Sequence, residues 1–182
     1  LQGNDVKQMK EQIGYIYNSA KSLLNIINEI LDISKIESGR LELSMKNYST
    51  TALFADVISI ITSQMHSQQV QFVYEIPEEF PSILNGDETR IREILINLLN
   101  NAVKYTPGGK ISFTIQVEDQ TTEKIRFVIR ITDTGIGIRK EEQEKIFGMF
   151  ARSNDRKNVN IEGSGLGLSI VKGYVELMGG TL

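Results

Sequence analysis

The chain has 182 residues, 40% of them hydrophobic and 24% charged, with 15 glycines. That is the composition of a folded domain with a real core plus an appendage, not of a disordered tail. Twenty Lys and Arg against 23 Asp and Glu leave a net charge of −3, so no basic field draws the protein to nucleic acid or anionic lipid; with no cysteine and one histidine, disulfides, thiolate chemistry and multi-histidine zinc centres are excluded.

From Val6 onward the apolar residues Val6, Met9, Ile13, Ile16, Ala20, Leu23, Ile27 and Ile30 alternate three and four apart, with a second row at Tyr17, Leu24 and Leu31. The spacing predicts an amphipathic helix over residues 5–38, about 50 Å long at 1.5 Å per residue, with Gly39 as its left-handed cap. Its stripe either packs on the domain that follows or, as its length favours, joins sister helices in a bundle.

Beyond Gly39 the elements shorten. Residues 41–45 read as a strand, 53–65 as a helix, 70–76 as a strand ended by Pro77, and 89–105 as an amphipathic helix capped by Asp87. Thr106, Pro107, Gly108 and Gly109 turn the chain. Two alternating runs follow, over 110–117 and 124–131, with Ile111, Phe113, Ile115 and Val117 on one face and Ile125, Phe127, Ile129 and Ile131 on the next; they predict an antiparallel pair joined by the acidic loop 118–123. A short helix is expected over 141–150, a mobile polar loop over 152–162, and a last helix over 166–178 capped by Gly179. The mixture predicts an α+β fold: a two-layer sandwich of a mixed sheet with helices on one face, residues 40–182, preceded by the long helix, residues 1–39.

Three clusters could carry chemistry. Asn97, Asn101 and Lys104 project from one face of the helix over 89–105, where asparagine goes against local propensity. A solvated face would more naturally use Glu, Lys or Gln, although it remains an alternative reading. Asp133 leads into Gly135 and Gly137, which permit close backbone approach; its carboxylate could accept from an exocyclic amino group while Ile136 and Ile138 face a flat ring. Asp133-Thr134-Gly135 is also the tripeptide of the aspartic proteases, but a single copy in a helix-rich chain does not build that site. Gly163, Gly165 and Gly167 open directly into a helix, so free amides and the helix dipole form a phosphate cradle. No strand precedes this run, and no Gly-Lys-Ser/Thr follows it, so neither a dinucleotide fold nor a P-loop is supported.

In this order the clusters resemble the ATP-binding domain of the sensor histidine kinases, a branch of the superfamily of gyrase, heat-shock chaperone and mismatch-repair ATPases. Residues 97–105 resemble the family's N box, 133–137 its first glycine box, 147–150 its F box and 163–167 its second glycine box. The helix ending Leu31-Asp-Ile-Ser-Lys-Ile-Glu-Ser-Gly39 resembles the second helix of the family's dimerisation and phosphotransfer hairpin.

The resemblance implies ATP and Mg²⁺ as cofactors. Asn101 would hold the metal through its amide oxygen, supported by Asn97, while Lys104 would neutralise phosphate charge and Tyr105 would stack near the adenine. Asp133 would receive the adenine amino group beside Gly135, Gly137 and Ile138. Phe147 would belong to the nucleotide site. Gly163, Gly165, Leu166, Gly167 and Leu168, with the loop 151–162, would close over the phosphates, and Arg152 is a candidate for the γ-phosphate. In the related ATPases a Glu acting as the base for water usually occupies the place of Asn97. An amide lacks that basicity, which favours transfer of the γ-phosphoryl group to a histidine over hydrolysis. Glu93, four residues earlier, is a base only if this register is wrong.

The implied product passes to a response-regulator receiver domain, and the implied assembly is a homodimer through residues 1–38. The implied location is the cytoplasm, either free or as the cytosolic part of a membrane-anchored receptor. The family's phosphoacceptor histidine precedes the helix present here, and two closing strands usually follow where this chain stops at Leu182; the start at Leu1 likewise reads as a piece of a longer protein, and autophosphorylation of this piece is not expected. His66 has no adjacent acid and reads as structural or solvent-exposed. A related ATPase, a serine/threonine kinase of the same fold, and a non-catalytic dimerisation module are the alternatives.

Overall fold

A computed structural model describes residues 2–65, 69–148 and 164–182, with side chains from Gln8 onward. His66, Arg152, Gly163, the loop 151–162 and the second half of the 147–150 motif lie outside these residues. The chain divides into two units, Leu1–Leu41 and Glu42–Leu182.

The first unit is helix α1, Gln2–Glu37. Gly39 at φ +65° ends it: the Gly39 N–H donates to the Ile36 carbonyl and the Arg40 N–H to Lys35, which satisfies the last carbonyls in a Schellman arrangement. The expected apolar stripe stands exposed at Met9, Ile13, Ile16, Leu23, Leu24 and Leu31.

The second unit starts with β1, Lys46–Ser49, and α2, Thr50–Gln64, whose first turn is capped by the Ser49 hydroxyl accepting from the Ala52 N–H. Then come β2, Val70–Glu75, β3, Ile83–Gly86, and α3, Glu88–Tyr105. Asp87 caps α3 as expected, accepting from the Arg90 N–H at 3.1 Å through Oδ1 and from the Ser44 N–H at 2.8 Å through Oδ2. After α3 lie β4, Gly109–Gln120, β5, Ile125–Asp133, α4, Lys140–Gln143, and α5, Gly167–Leu177.

β2, β4 and β5 form one mixed sheet, with β2 parallel and β5 antiparallel to the central β4. Alternation along β4 buries Ile111, Phe113 and Ile115 under α2 and α3, which contribute Leu53, Phe54, Val57, Ile61, Leu95, Leu99 and Ala102 to the same core. Each such side chain contributes roughly 1.5–3 kcal/mol through burial. Phe80 meets Phe54 and Phe127 edge-on, at ring-centre distances of 5.7 and 5.3 Å. The α+β sandwich with a mixed sheet is therefore as expected.

Several boundaries differ. Residues 41–45 are not a strand; the strand is β1, at 46–49, where the ladder partner is β3, which the sequence did not announce. β1 has one apolar residue, Tyr48, so only pairing with β3 makes it extended. Residues 118–120 continue β4 past a bulge between Val117 and Asp119. The helix expected over 141–150 is the single turn of α4 followed by a 3-10 turn, Lys145–Phe147.

Candidate functional site

α3 is the axis of the site. Helical spacing sets Asn97, Asn101 and Lys104 on the side away from Leu95, Leu99 and Ala102, and all three polar residues are half-buried. The Lys104 ammonium lies 5.0 Å from the Tyr105 ring centre. Asn100, three residues from Asn97, has a buried Oδ1 that accepts no hydrogen bond among the described residues. Such an atom normally finds a donor.

At the end of α3 the chain following β5 returns. The Gly135 N–H donates to Asp133 Oδ1 at 2.9 Å and the Thr106 hydroxyl to the same oxygen at 3.4 Å, while no hydrogen bond reaches Oδ2 among the described residues. The Ile136 N–H donates to the Tyr105 carbonyl. Gly135 has to be glycine because a Cβ there would overlap that carbonyl oxygen and crowd Asp133 Oδ1 and Thr106 Oγ1. Gly137 differs: it has open space but φ +69°, so its need is conformational. Ile136 and Ile138 stand about half exposed beside it.

The second glycine run reaches α3 from the other side. Gly165 takes φ +76°, Leu166 is fully buried with its N–H donating to Ser164 Oγ at 3.3 Å, and among the described residues no side chain caps the first turn of α5, which leaves the Gly167 and Leu168 amides to receive an anion. A Cβ on Gly167 would stand 2.9 Å from Asn97 Oδ1. Leu168 is half-buried in the same turn, and the 3-10 turn carrying half-buried Phe147 packs against α5.

The structure thus gathers Asn97 with Gly167, and Tyr105 with Asp133 and Gly135. Asn101 and Lys104 share the α3 face between those two meeting points. Two hollows, of about 600 and 500 Å³, lie elsewhere: one beside Glu75, Pro77 and Glu118, the other between α2 and Tyr74. Glu93, the alternative base, is bonded to Arg90 at 2.7 Å. Sequence reasoning missed Thr106, which is 2% exposed and engages Asp133; its signal was a hydroxyl immediately after the helix and before Pro107.

The family model described as histidine kinase-, DNA gyrase B-, and HSP90-like ATPase matches residues 86–182. The chain is 38% identical over 94% of its length to the sensor protein GacS of Pseudomonas syringae pv. syringae, covering 19% of that protein. To the sensory/regulatory protein RpfC of Xanthomonas campestris pv. campestris it is 32% identical over 96% of its length, covering 24% of that protein. It therefore spans about a fifth of the length of these curated relatives. Among solved structures, full-length ShkA in complex with AMPPNP is similar with a TM-score of 0.71 and 27% identity, over 89% of this chain and 32% of that one.

Proposed function

Because the chain belongs to the family of histidine kinase-, DNA gyrase B- and HSP90-like ATPases, we propose that the part beyond α1 is the ATP-binding catalytic unit of a two-component sensor histidine kinase. It passes the γ-phosphoryl group of ATP to a histidine on a hairpin, for onward transfer to a response-regulator receiver domain. The observation that carries this reading is the convergence on α3, with Asn97 against Gly167 and the Asp133–Gly135 turn bonded at the other end.

Asp133 has Oδ1 occupied by Gly135 and Thr106, which leaves Oδ2 to accept from the adenine amino group. Ile136, Ile138 and Tyr105 supply apolar surface for the base, and Gly137 lets the backbone follow it. Lys104 balances phosphate charge. The amides of Gly165, Gly167 and Leu168, with Gly163 and Arg152, hold the phosphates at the start of α5, while the Leu166 N–H donates to Ser164 Oγ at 3.3 Å and shapes the turn.

The donor set suits Mg²⁺: Asn101 offers a hard amide oxygen, Asn97 stands one turn earlier, and the missing Cβ at Gly167 leaves the Asn97 amide its room. Bound there, the ion supplies neutralisation of the triphosphate charge. Asn97 cannot act as a base, so water gains no activation from it. A histidine nitrogen brings its own lone pair: it attacks the γ-phosphorus, the N–P bond forms, and the bridging oxygen leaves with ADP. Catalysis then rests on positioning and charge.

The exposed apolar stripe of α1 supports a homodimer through residues 1–38. No helix among the described residues is long and apolar enough to cross a membrane. In this reading the chain works in the cytoplasm, free or as the cytosolic part of a membrane-anchored receptor, without touching lipid or nucleic acid.

Calorimetry with MgATP and MgGTP tests the proposal. Binding of ATP with negligible binding of GTP is expected, and a folded sample that binds neither would refute it. Phosphate released steadily without an acceptor protein would instead favour an ATPase, whereas transfer only to a histidine-bearing hairpin favours the kinase.

A further inference from the structure

α3 packs along α5, and two pairs mark the ends of their seam. Near the phosphate end Asn97 faces Gly167, and away from it Arg90 grips Tyr174: the guanidinium Nη1 donates to the Tyr174 hydroxyl oxygen at 2.6 Å, and the charged carbon lies 4.8 Å from the ring centre. Tyr174 is 1% exposed, and Glu93 Oε2 accepts from the same Nη1 at 2.7 Å, which orients the guanidinium toward the ring.

The spacing of the pairs is informative. Arg90 precedes Asn97 by seven residues on α3, and Tyr174 follows Gly167 by seven on α5, so the helices run antiparallel with both contacts on one seam. Two turns separate them, about 10 Å at 1.5 Å per residue. Gly167 is flanked by Leu166 and Leu168. A slip of one residue in either direction would bring a leucine against Asn97, where even a methyl group is tight. Apolar ridges alone tolerate such slips more readily than a directional hydrogen bond donated by a guanidinium to a buried phenol oxygen.

We propose that Arg90 is a positioning residue: by holding Tyr174 it sets the register of α5 on α3, and so the apposition of the Asn97 amide with the glycine turn that receives phosphate. This rests on the nucleotide reading above and adds to it a residue two turns from any proposed ligand contact. The register governs the phosphate end of the site. The Asp133–Gly135 turn is bonded to the far end of α3 by its own hydrogen bonds and does not depend on it.

The test uses the 182-residue chain with Tyr174→Phe, which keeps the ring and its volume, with Arg90→Gln, and with the two combined. Binding of MgATP and of adenosine is followed by calorimetry or NMR titration, alongside thermal melting. MgATP affinity is expected to fall about tenfold in each single variant and no further in the double, the scale of one lost charged hydrogen bond. Adenosine affinity is expected to stay at the parent value. Unchanged MgATP affinity in folded variants overturns the proposal, as do equal losses for MgATP and adenosine, which would mark a general loosening. A parent chain that binds neither ligand overturns the functional reading itself, and the proposal with it.

Discussion

Asn97 and Gly167 approach so closely that a methyl group on the glycine would lie 2.9 Å from Asn97 Oδ1. The obstructing atom is the end of a side chain, not backbone, so the fold can yield while the site cannot. Gly167→Ala is therefore expected to leave the melting temperature equal or slightly higher, since Ala is the better helix residue by about 0.5–1 kcal/mol. MgATP affinity should fall about tenfold as the Asn97 amide is displaced. Calorimetry and thermal melting of one sample check both halves.

Gly135→Ala is expected to behave in the opposite way. Its new methyl would run into the Tyr105 carbonyl oxygen, which is backbone and cannot move aside. A loss of about 1–3 kcal/mol in chemical denaturation is expected, together with loss of nucleotide binding. Gly137→Ala, with open space and only φ +69° to accommodate, should cost about 1 kcal/mol. Equal costs for the two would contradict the steric account.

Asp133→Asn keeps the shape of the side chain but removes the carboxylate acceptor. ATP affinity is expected to fall at least about tenfold, with stability little changed. Thr106→Val should produce a smaller loss of affinity, because Gly135 still holds Oδ1. Titration of both variants with ATP gives the order.

Asp87→Ala removes the α3 cap and also strands the Ser44 N–H, since each carboxylate oxygen serves one of these partners at a site 5% exposed. The expected cost is about 2–3 kcal/mol in urea denaturation, above that of a simple cap loss. Asp87→Asn should recover part of it.

Tyr48 is 8% exposed, and its hydroxyl is pushed from 10.0 up to about 12, by burial first and then by the nearby Glu88 carboxylate. The folded state therefore keeps the proton after the unfolded chain has lost it. The stabilisation is complete below pH 10 and declines by about 1.4 kcal/mol per unit as the pH rises toward 12. Stability measured at pH 9, 10.5 and 11.5 should fall more steeply in the parent than in Tyr48→Phe; parallel curves would show that the phenol does not contribute.

Local signals were sufficient where one residue type answers one backbone demand. Asp87 before the helix over 89–105, Gly39 and Gly179 after helices, and the alternation of Ile111, Phe113 and Ile115 all state a requirement that neighbouring residues alone impose. β1 and β3 escaped because their pairing partner lies more than 30 residues away and neither strand carries an alternating pattern long enough to read. The residues 145–147 form a 3-10 turn and not a longer helix; nothing in their spacing announces that difference.

Composition and periodicity sufficed for the fold class, because helix caps, strand alternation and positive-φ turns are properties of short segments. Distances between segments are another matter. That Thr106 reaches Asp133, that Gly135 has no room for a methyl group, and that Arg90 meets Tyr174 across 84 positions depend on how α3, β5 and α5 pack. Those contacts are fixed by the register of one element on another, a quantity set by the whole core and carried by no single stretch of sequence.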